Sequence, residues 1–223
     1  AKRENKLLSF FDFSKIEVQI TFQYVRLNKF RIPKLLPLKI LKYPFVSDKN
    51  FQIILKNPNH FFMLLDGYFQ RYLTQDDFNK EVVLLKSIFI QSSFKENWDC
   101  VIHIRGGDFL ELGWNKLTSR EYYTSAMNTM TSEHNVNNFL IVTDDELYAR
   151  KVISYENVDI KITSGDIVDD FQAIASCSKR ILSSSTFALW ASALGVNEDE
   201  GIVIAPDEFT PGIKRDFLLP NER

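Results

Sequence analysis

Residues 103–109 read HIRGGDF, and they place three side chains that do chemistry around two glycines. His103, Arg105 and Asp108 lie in or directly after the apolar run CVIHIR (100–105). An arginine beside glycines suits an anionic ligand, because the guanidinium binds two oxygens at once and glycine lets the backbone approach closely. A structural turn after a buried strand accounts for the same residues, so this stretch alone leaves both interpretations open.

A second polar cluster, SSSTF (183–187), joins a predicted strand to a predicted helix. The N-terminus of a helix carries unpaired N–H groups and a partial positive charge, to which hydroxyl groups add further donors. One Ser or Thr is enough for an N-cap, and here four hydroxyl residues stand in a row. The run therefore favours a phosphate site over a cap alone. Its candidate contacts are Ser184, Ser185, Thr186 and Phe187.

The remaining candidates each have a structural and a functional interpretation. His103 lies inside a predicted strand, where a lone histidine is usually a core side chain, and it is also placed to hydrogen-bond a base or a phosphate. Asp169 and Asp170 begin a predicted helix, where acids act as caps or hold a ribose or a guanine edge. Asp144 and Asp145 resemble an acidic pair that holds a divalent metal, but the sequence offers no third ligand nearby.

From residue 98 onward, short β-branched runs alternate with segments of helical period, which indicates βαβ units on a parallel sheet. The predicted strands are 100–105, 138–143, 158–163, 180–185 and 201–206. The predicted helices are 119–130, 144–155, 168–178 and 185–195, the last with Gly195 as a C-cap. A Rossmann-type sheet brings the carboxyl ends of its strands to one edge, where HIRGGD, TDDE, TSGD and SSSTF would gather.

The composition is that of an ordinary globular protein, with 223 residues, 45% hydrophobic and 25% charged. The net charge of −2 argues against a nucleic-acid binder held by phosphate neutralisation. Cys100 and Cys177 are too few for a disulfide framework and lack zinc-ligand spacing, which favours a reducing compartment, although one bridge between them stays open. No run reaches the roughly 18 apolar residues of a membrane span, and no signal-peptide layout is visible.

The N-terminal part has a different character, being aromatic-rich, irregular and interrupted by prolines. We predict a separate domain over residues 1–96 and a Rossmann-like nucleotide domain over 97–223. The basic segment 26–45 holds six Lys or Arg and no acid, so it suits an anionic membrane surface. A solvated helix face packed on its own domain is favoured, because Pro33 and Pro37 break any long amphipathic helix.

The ordered motifs HIRGGDF, REYYTSAM, FLIVTDDE, DDFQAIASCSKRILSSSTFALWASALG and IVIAPDEF, preceded by LLDGYFQRYLTQDDF, carry a resemblance. Together they cover roughly residues 60–210, and they resemble bacterial α-1,2-fucosyltransferases of glycosyltransferase family 11. The resemblance implies a GT-B-like α/β fold and a metal-independent, inverting transfer of L-fucose. The donor would be GDP-β-L-fucose, and the acceptor a galactoside 2-hydroxyl of a glycan such as a bacterial O-antigen unit. That setting implies the cytoplasm, with peripheral contact at the inner membrane.

The resemblance also assigns roles to residues. The family's basic motif His-x-Arg-Arg-Gly-Asp binds the donor pyrophosphate, and His103, Arg105 and Asp108 match it. The serine-rich phosphate contact is matched by Ser184, Ser185 and Thr186, and the acid on the nucleotide side by Asp170. A base must take the acceptor's hydroxyl proton. Asp108 and Glu111 are the nearest candidates, and a base in the N-terminal half is the alternative.

Two departures separate this sequence from the family pattern. Gly106 replaces the second arginine, which removes one cation from the site of the leaving group. The family's opening glycine-rich loop, which resembles GGLGNQ, is absent, and FFDFSKIEV (10–18) resembles the part that follows it. Either the natural chain is longer or the donor cleft differs. These departures leave two alternatives open, which are a non-catalytic sugar-nucleotide or glycan-binding protein, and a transferase for another sugar or acceptor.

Overall fold

The computed structural model describes residues 45–47, 64–66, 74–89, 97–153, 158–196 and 201–223. The chain divides into two compact units, residues 16–72 and residues 1–15 with 73–223. Within the first unit, β1 (Phe45–Ser47) pairs in parallel with β2 (Leu64–Asp66). The basic segment proposed for a membrane surface falls almost wholly outside the described residues. The predicted division at 96/97 stays a prediction.

The second unit is built on a five-stranded parallel sheet, as the sequence predicts. The strands are β3 (Cys100–Ile104), β4 (Asn138–Thr143), β5 (Asp159–Thr163), β6 (Lys179–Ile181) and β7 (Ile202–Ile204). Their order across the sheet is β5-β4-β3-β6-β7, so β3 lies in the centre between β4 and β6. Because all five strands run the same way, their carboxyl ends meet at one edge, where ligands bind in such folds.

Six helices belong to this unit in the part of the chain that the structure describes. They are α1 (Gln75–Ile88), α2 (Gly107–Glu111), α3 (Arg120–His134), α4 (Glu146–Val152), α5 (Ile167–Ser176) and α6 (Thr186–Leu194). A 3-10 turn covers Trp114–Thr118, and a small antiparallel pair joins β8 (Glu208–Thr210) to β9 (Ile213–Lys214).

The helices cover both faces of the sheet because successive strand residues point to opposite sides. On one face, residues of α1, α5 and α6 form one hydrophobic core with Val101, Leu140 and Val203. On the other face, α3 and α4 pack against Ile102 and Ile141. Both faces are therefore covered, which explains why the four strands other than the edge strand β5 are mostly buried and read as apolar runs.

Several element boundaries differ from the predicted ones for local reasons. The strand predicted over 180–185 ends at Ile181, because the Ser183 hydroxyl bonds His103 and the Ser185 amide as the chain turns. The helix predicted over 119–130 continues to His134, where Asn135 ends it in the left-handed conformation.

Helix α1 precedes the predicted start of the nucleotide domain but contributes to the same hydrophobic core. Phe78 is fully buried, and its ring stacks on Phe217 with the centroids 4.1 Å apart. Thr74 is the N-cap of this helix, and its hydroxyl accepts a hydrogen bond from the amide of Asp77. None of the helices in the described ranges is both long and apolar enough to cross a membrane.

Candidate functional site

Arg105 leaves the central strand at the carboxyl edge of the sheet, where two carboxylates hold it. Its Nη1 lies 2.7 Å from Asp144 Oδ2, and its Nη2 lies 2.8 Å from Asp108 Oδ1. Asp144 directly follows β4, the neighbouring strand. Because Ile104 is in register with Thr143, the next residues, Arg105 and Asp144, lie side by side. The side chain of Arg105 remains 33% exposed, so the guanidinium is fixed in direction and still open to a ligand. Fixed donors of this kind suit an anion.

The two glycines after Arg105 are required by close packing against the start of α4. The amide of Gly106 donates to Asp144 Oδ1 at 2.8 Å. A Cβ at Gly106 would lie 2.5 Å from the Cβ of Asp145, so a larger residue there displaces Asp145. Gly107 has a φ of +40°, a conformation that side-chain-bearing residues rarely adopt. The arginine that the family carries at position 106 therefore does not fit this arrangement unchanged.

His103 is a buried core side chain with a defined partner. Its Nδ1 lies 2.8 Å from the Ser183 hydroxyl, and its ring packs against Phe187 with centroids 5.8 Å apart. Burial, helped by the charge of Arg105, lowers the pKa of His103 to about 3. The imidazole is therefore neutral at physiological pH, and it joins the strand of Arg105 to the serine-rich turn.

The serine-rich turn holds a hydroxyl group that has no partner within the described structure. Ser184 is 8% exposed, and its Oγ is buried without a hydrogen bond. A buried hydroxyl without a partner costs about 1–3 kcal/mol, and a ligand oxygen would remove that cost. Ser185 occupies the N-cap of α6 without a side-chain capping bond, so an N-cap alone does not explain the run. Thr186 begins the helix and is half-buried.

Asp170 lies near the same edge, in the first turns of α5. The cap of this helix is Asp166, which accepts from the amide of Val168, so Asp169 and Asp170 are not the caps. Asp170 instead accepts from the amide of Gly165 at 3.3 Å. Burial, together with the nearby carboxylates including Asp144, raises the pKa of Asp170 to about 6, although the hydrogen bond from Gly165 acts to lower it.

The two predicted candidates for the catalytic base have different environments. Asp108 is 58% exposed and engaged by Arg105, whereas Glu111 is exposed at the end of α2. Asp144 was considered only as a metal ligand, yet both its oxygens contact the arginine loop. Within the described ranges, no three His, Cys, Asp or Glu side chains are arranged to hold a metal. The sequence feature that could have identified Asp144 as a partner of Arg105 is its position directly after β4, the strand next to β3.

Helices on both faces of a parallel sheet, with an arginine and buried hydroxyl groups at its carboxyl edge, define a Rossmann-like α/β unit. The chain belongs to glycosyl transferase family 11, whose family model matches residues 2–214. The predicted family and the predicted glycosyltransferase class are thereby confirmed, as is the α/β fold class.

The chain is also similar to galactoside 2-alpha-L-fucosyltransferase SEC1 of Bos taurus. The two are 26% identical over 101 residues, which cover 42% of this chain and 27% of that relative. The matched region thus spans about a quarter of the relative's length. No solved structure matches the chain.

Proposed function

We propose that this chain transfers L-fucose from GDP-β-L-fucose to the 2-hydroxyl of a galactoside, with inversion at the sugar. The observation that carries the proposal is the unpartnered, buried Ser184 hydroxyl at the start of α6. It lies on the sheet edge that also presents Arg105, in a chain of family 11. A hydroxyl, a helix N-terminus and a guanidinium together suit a diphosphate.

The proposed chemistry follows from where charge develops. Breaking the bond between fucose and phosphate leaves negative charge on GDP, and donors fixed in advance lower the barrier. Arg105 and the first amides of α6 would act on that charge. The 2-hydroxyl of the acceptor attacks the anomeric carbon, and a carboxylate takes its proton. Asp108 and Glu111 both remain candidates for this base.

The proposed setting goes beyond the site itself. We place the chain in a GT-B arrangement, with residues 1–96 on the acceptor side and 97–223 holding the nucleotide. The acceptor is proposed to be an O-antigen or related polysaccharide unit of a bacterium, modified in the cytoplasm at the inner membrane. Gly106 favours the rival candidate, a non-catalytic sugar-nucleotide or glycan-binding protein, because one family cation is missing.

A transfer assay separates the enzyme from its rivals. With GDP-fucose, a galactoside acceptor and EDTA, we expect GDP release and a new fucosyl galactoside, since the proposed cations are side chains. Analysis of the product should place fucose at the 2-position in α linkage. GDP binding without product would support the non-catalytic candidate. Loss of transfer in EDTA, restored by a divalent metal, would support the Asp144/Asp145 metal site instead.

The raised pKa of Asp170 predicts a pH-dependent role in donor binding. If its carboxylate accepts from the nucleotide, ionisation through pH 6 strengthens GDP binding, so Asp170→Asn should lose that gain. The β-phosphate of GDP also ionises near pH 6, and the ratio of wild-type to variant Kd cancels that contribution. This ratio should fall as pH rises from 5 to about 7. A constant ratio would remove Asp170 from the nucleotide site.

The same group has an opposite effect on the protein without ligand. A carboxyl group with a folded-state pKa above its unfolded value favours folding at low pH, and this contribution is lost as pH rises through about 6. Thermal unfolding without GDP should therefore show a smaller loss of stability between pH 4 and about 6 in Asp170→Asn. Asp166, Asp169 and Asp144 face the same region and remain in the variant.

A further inference from the structure

Arg180 is an arginine buried in the middle of the sheet that the proposed chemistry does not use. It occupies the second position of β6 and is 1% exposed. A buried guanidinium is costly unless its donors are satisfied. Its Nε donates to the carbonyl of Ile174 at 2.8 Å, and its Nη2 donates to that of Ala175 at 3.1 Å. Both carbonyls belong to the last turn of α5.

The same guanidinium also binds the end of α6. Its Nη1 donates to the carbonyl of Ser192 at 3.2 Å, and its Nη2 donates to that of Val196 at 2.6 Å. The carboxyl end of a helix carries partial negative charge and carbonyls without helical partners. Arg180 thus provides one positive charge and a rigid fork of donors to the carboxyl ends of two helices.

Close backbone packing joins the two helix ends at the same place. The amide of Val196 donates to the carbonyl of Ala175 at 2.8 Å. A Cβ at Gly195 would lie 2.2 Å from that carbonyl oxygen, so only glycine permits this approach. Gly195 has a negative φ of −74°, so the contact, and not a left-handed cap, is what requires glycine here.

The opposite ends of these helices carry the proposed nucleotide contacts. Asp170 lies near the start of α5, while Ser184 and Ser185 precede α6. Each helix is about 15 Å long, so a tilt of roughly 5° about its carboxyl end moves its N-terminus by about 1 Å. A shift of about 1 Å can reduce activity by a factor of about 100.

We propose that Arg180 is a positioning residue, which fixes α5 and α6 together at their carboxyl ends and thereby aligns their N-termini for the donor nucleotide. This role rests on the proposed function for its ligand. It extends the site to a residue that contacts no substrate. The fixed pair of helices is a property of the protein without ligand, so it can be measured independently.

Three variants test the role against a matched control. Arg180→Met keeps the apolar stem and removes every donor, and Arg180→Lys keeps the charge without the fork. Gly195→Ala leaves Arg180 intact and forces the two helix ends apart. The control is Phe139→Ala, which opens the core on the other face of the sheet, against α3. If Arg180→Met fails to fold, Arg180→Lys still tests the proposal.

Amide hydrogen exchange without ligand measures how firmly the two helices are held in the folded protein. In the Arg180 variants and Gly195→Ala we expect faster exchange throughout α5 and α6, with α3 and β4 unchanged. The control should instead accelerate exchange in α3 and β4 at an equal loss of melting temperature. Exchange in α5 and α6 no faster than in the control would overturn the proposal, whether or not GDP binds.

Donor affinity, measured well below the melting temperature, gives the functional readout. We expect the Kd for GDP and the KM for GDP-fucose to rise about tenfold or more in the Arg180 variants, with the acceptor KM unchanged. The control, whose site lies two strands away from Arg180 and on the other face of the sheet, should stay within about twofold of wild type. Equal Kd values in Arg180→Met and the control would overturn the positioning role. A wild type that binds no GDP would instead refute the proposed function.

Discussion

Replacing Arg105 with Ala is expected to lower fucosyl transfer by a factor of about 100–1,000 and to weaken GDP binding strongly. The guanidinium is held by Asp144 and Asp108 while a third of its side chain stays exposed, so it is oriented for a ligand before the ligand arrives. In the proposed reaction, Arg105→Ala removes the fixed cation that stabilises the negative charge developing on GDP. Arg105→Lys should recover part of the loss, because lysine keeps the charge without the planar fork.

Arg150→Ala is the matched control for Arg105→Ala. Arg150 is also an arginine in an ion pair, with Glu146, but it is exposed and lies on the outer surface of α4. Exposed pairs of this kind contribute about 0–1 kcal/mol, so Arg150→Ala should unfold at nearly the wild-type temperature, and transfer is compared at a temperature at which both variants are folded. Steady-state kinetics and calorimetry should then separate them. An Arg105→Ala protein with wild-type transfer would remove Arg105 from the site.

Replacing Asp144 with Ala is expected to lower transfer by about 10–100-fold through its effect on Arg105. The carboxylate accepts from the amide of Gly106 with one oxygen and pairs with Arg105 through the other. Its loss leaves the half-buried amide without that acceptor and lets the guanidinium move. Asp144→Asn should lie between Ala and wild type, because the amide oxygen can still accept from Gly106.

Glu146→Ala controls for removal of a negative charge from the start of α4. Glu146 lies two residues along the chain from Asp144 and pairs with Arg150, away from the arginine loop. GDP affinity and transfer should both change little in that variant. Equal losses in Asp144→Ala and Glu146→Ala would show that net charge matters and that the contact with Arg105 does not.

The sheet could be predicted from sequence because four of its five strands are mostly buried and read as short apolar runs. The edge strand β5 has no buried residue and was visible instead through its alternation of polar and apolar residues. The order β5-β4-β3-β6-β7 could not be predicted, because neighbouring strands are far apart in sequence. The end of β6 was placed too late, since Ser183 leaves the ladder to bind His103.

The individual residues of the candidate site could be predicted from the sequence, but the contacts between them could not. Arg105 and the serines stood out because polar clusters after apolar strands have no role in a core. Asp144 became a partner of Arg105 only because β4 lies beside β3 in register. Gly195 is the C-cap of α6, as predicted, but the close approach of the Ala175 carbonyl, which excludes any Cβ there, was not visible from sequence. Such contacts depend on tertiary neighbours, which local patterns do not encode.

Calorimetric titration of the chain with GDP, in EDTA and with ADP and UDP as controls, tests the donor site most directly. We predict saturable binding of GDP in preference to ADP and UDP, without a divalent metal, and its loss in Arg105→Ala. That result would establish a guanine nucleotide site held by side chains. Absence of GDP binding, or equal binding of all three nucleotides, would contradict the account.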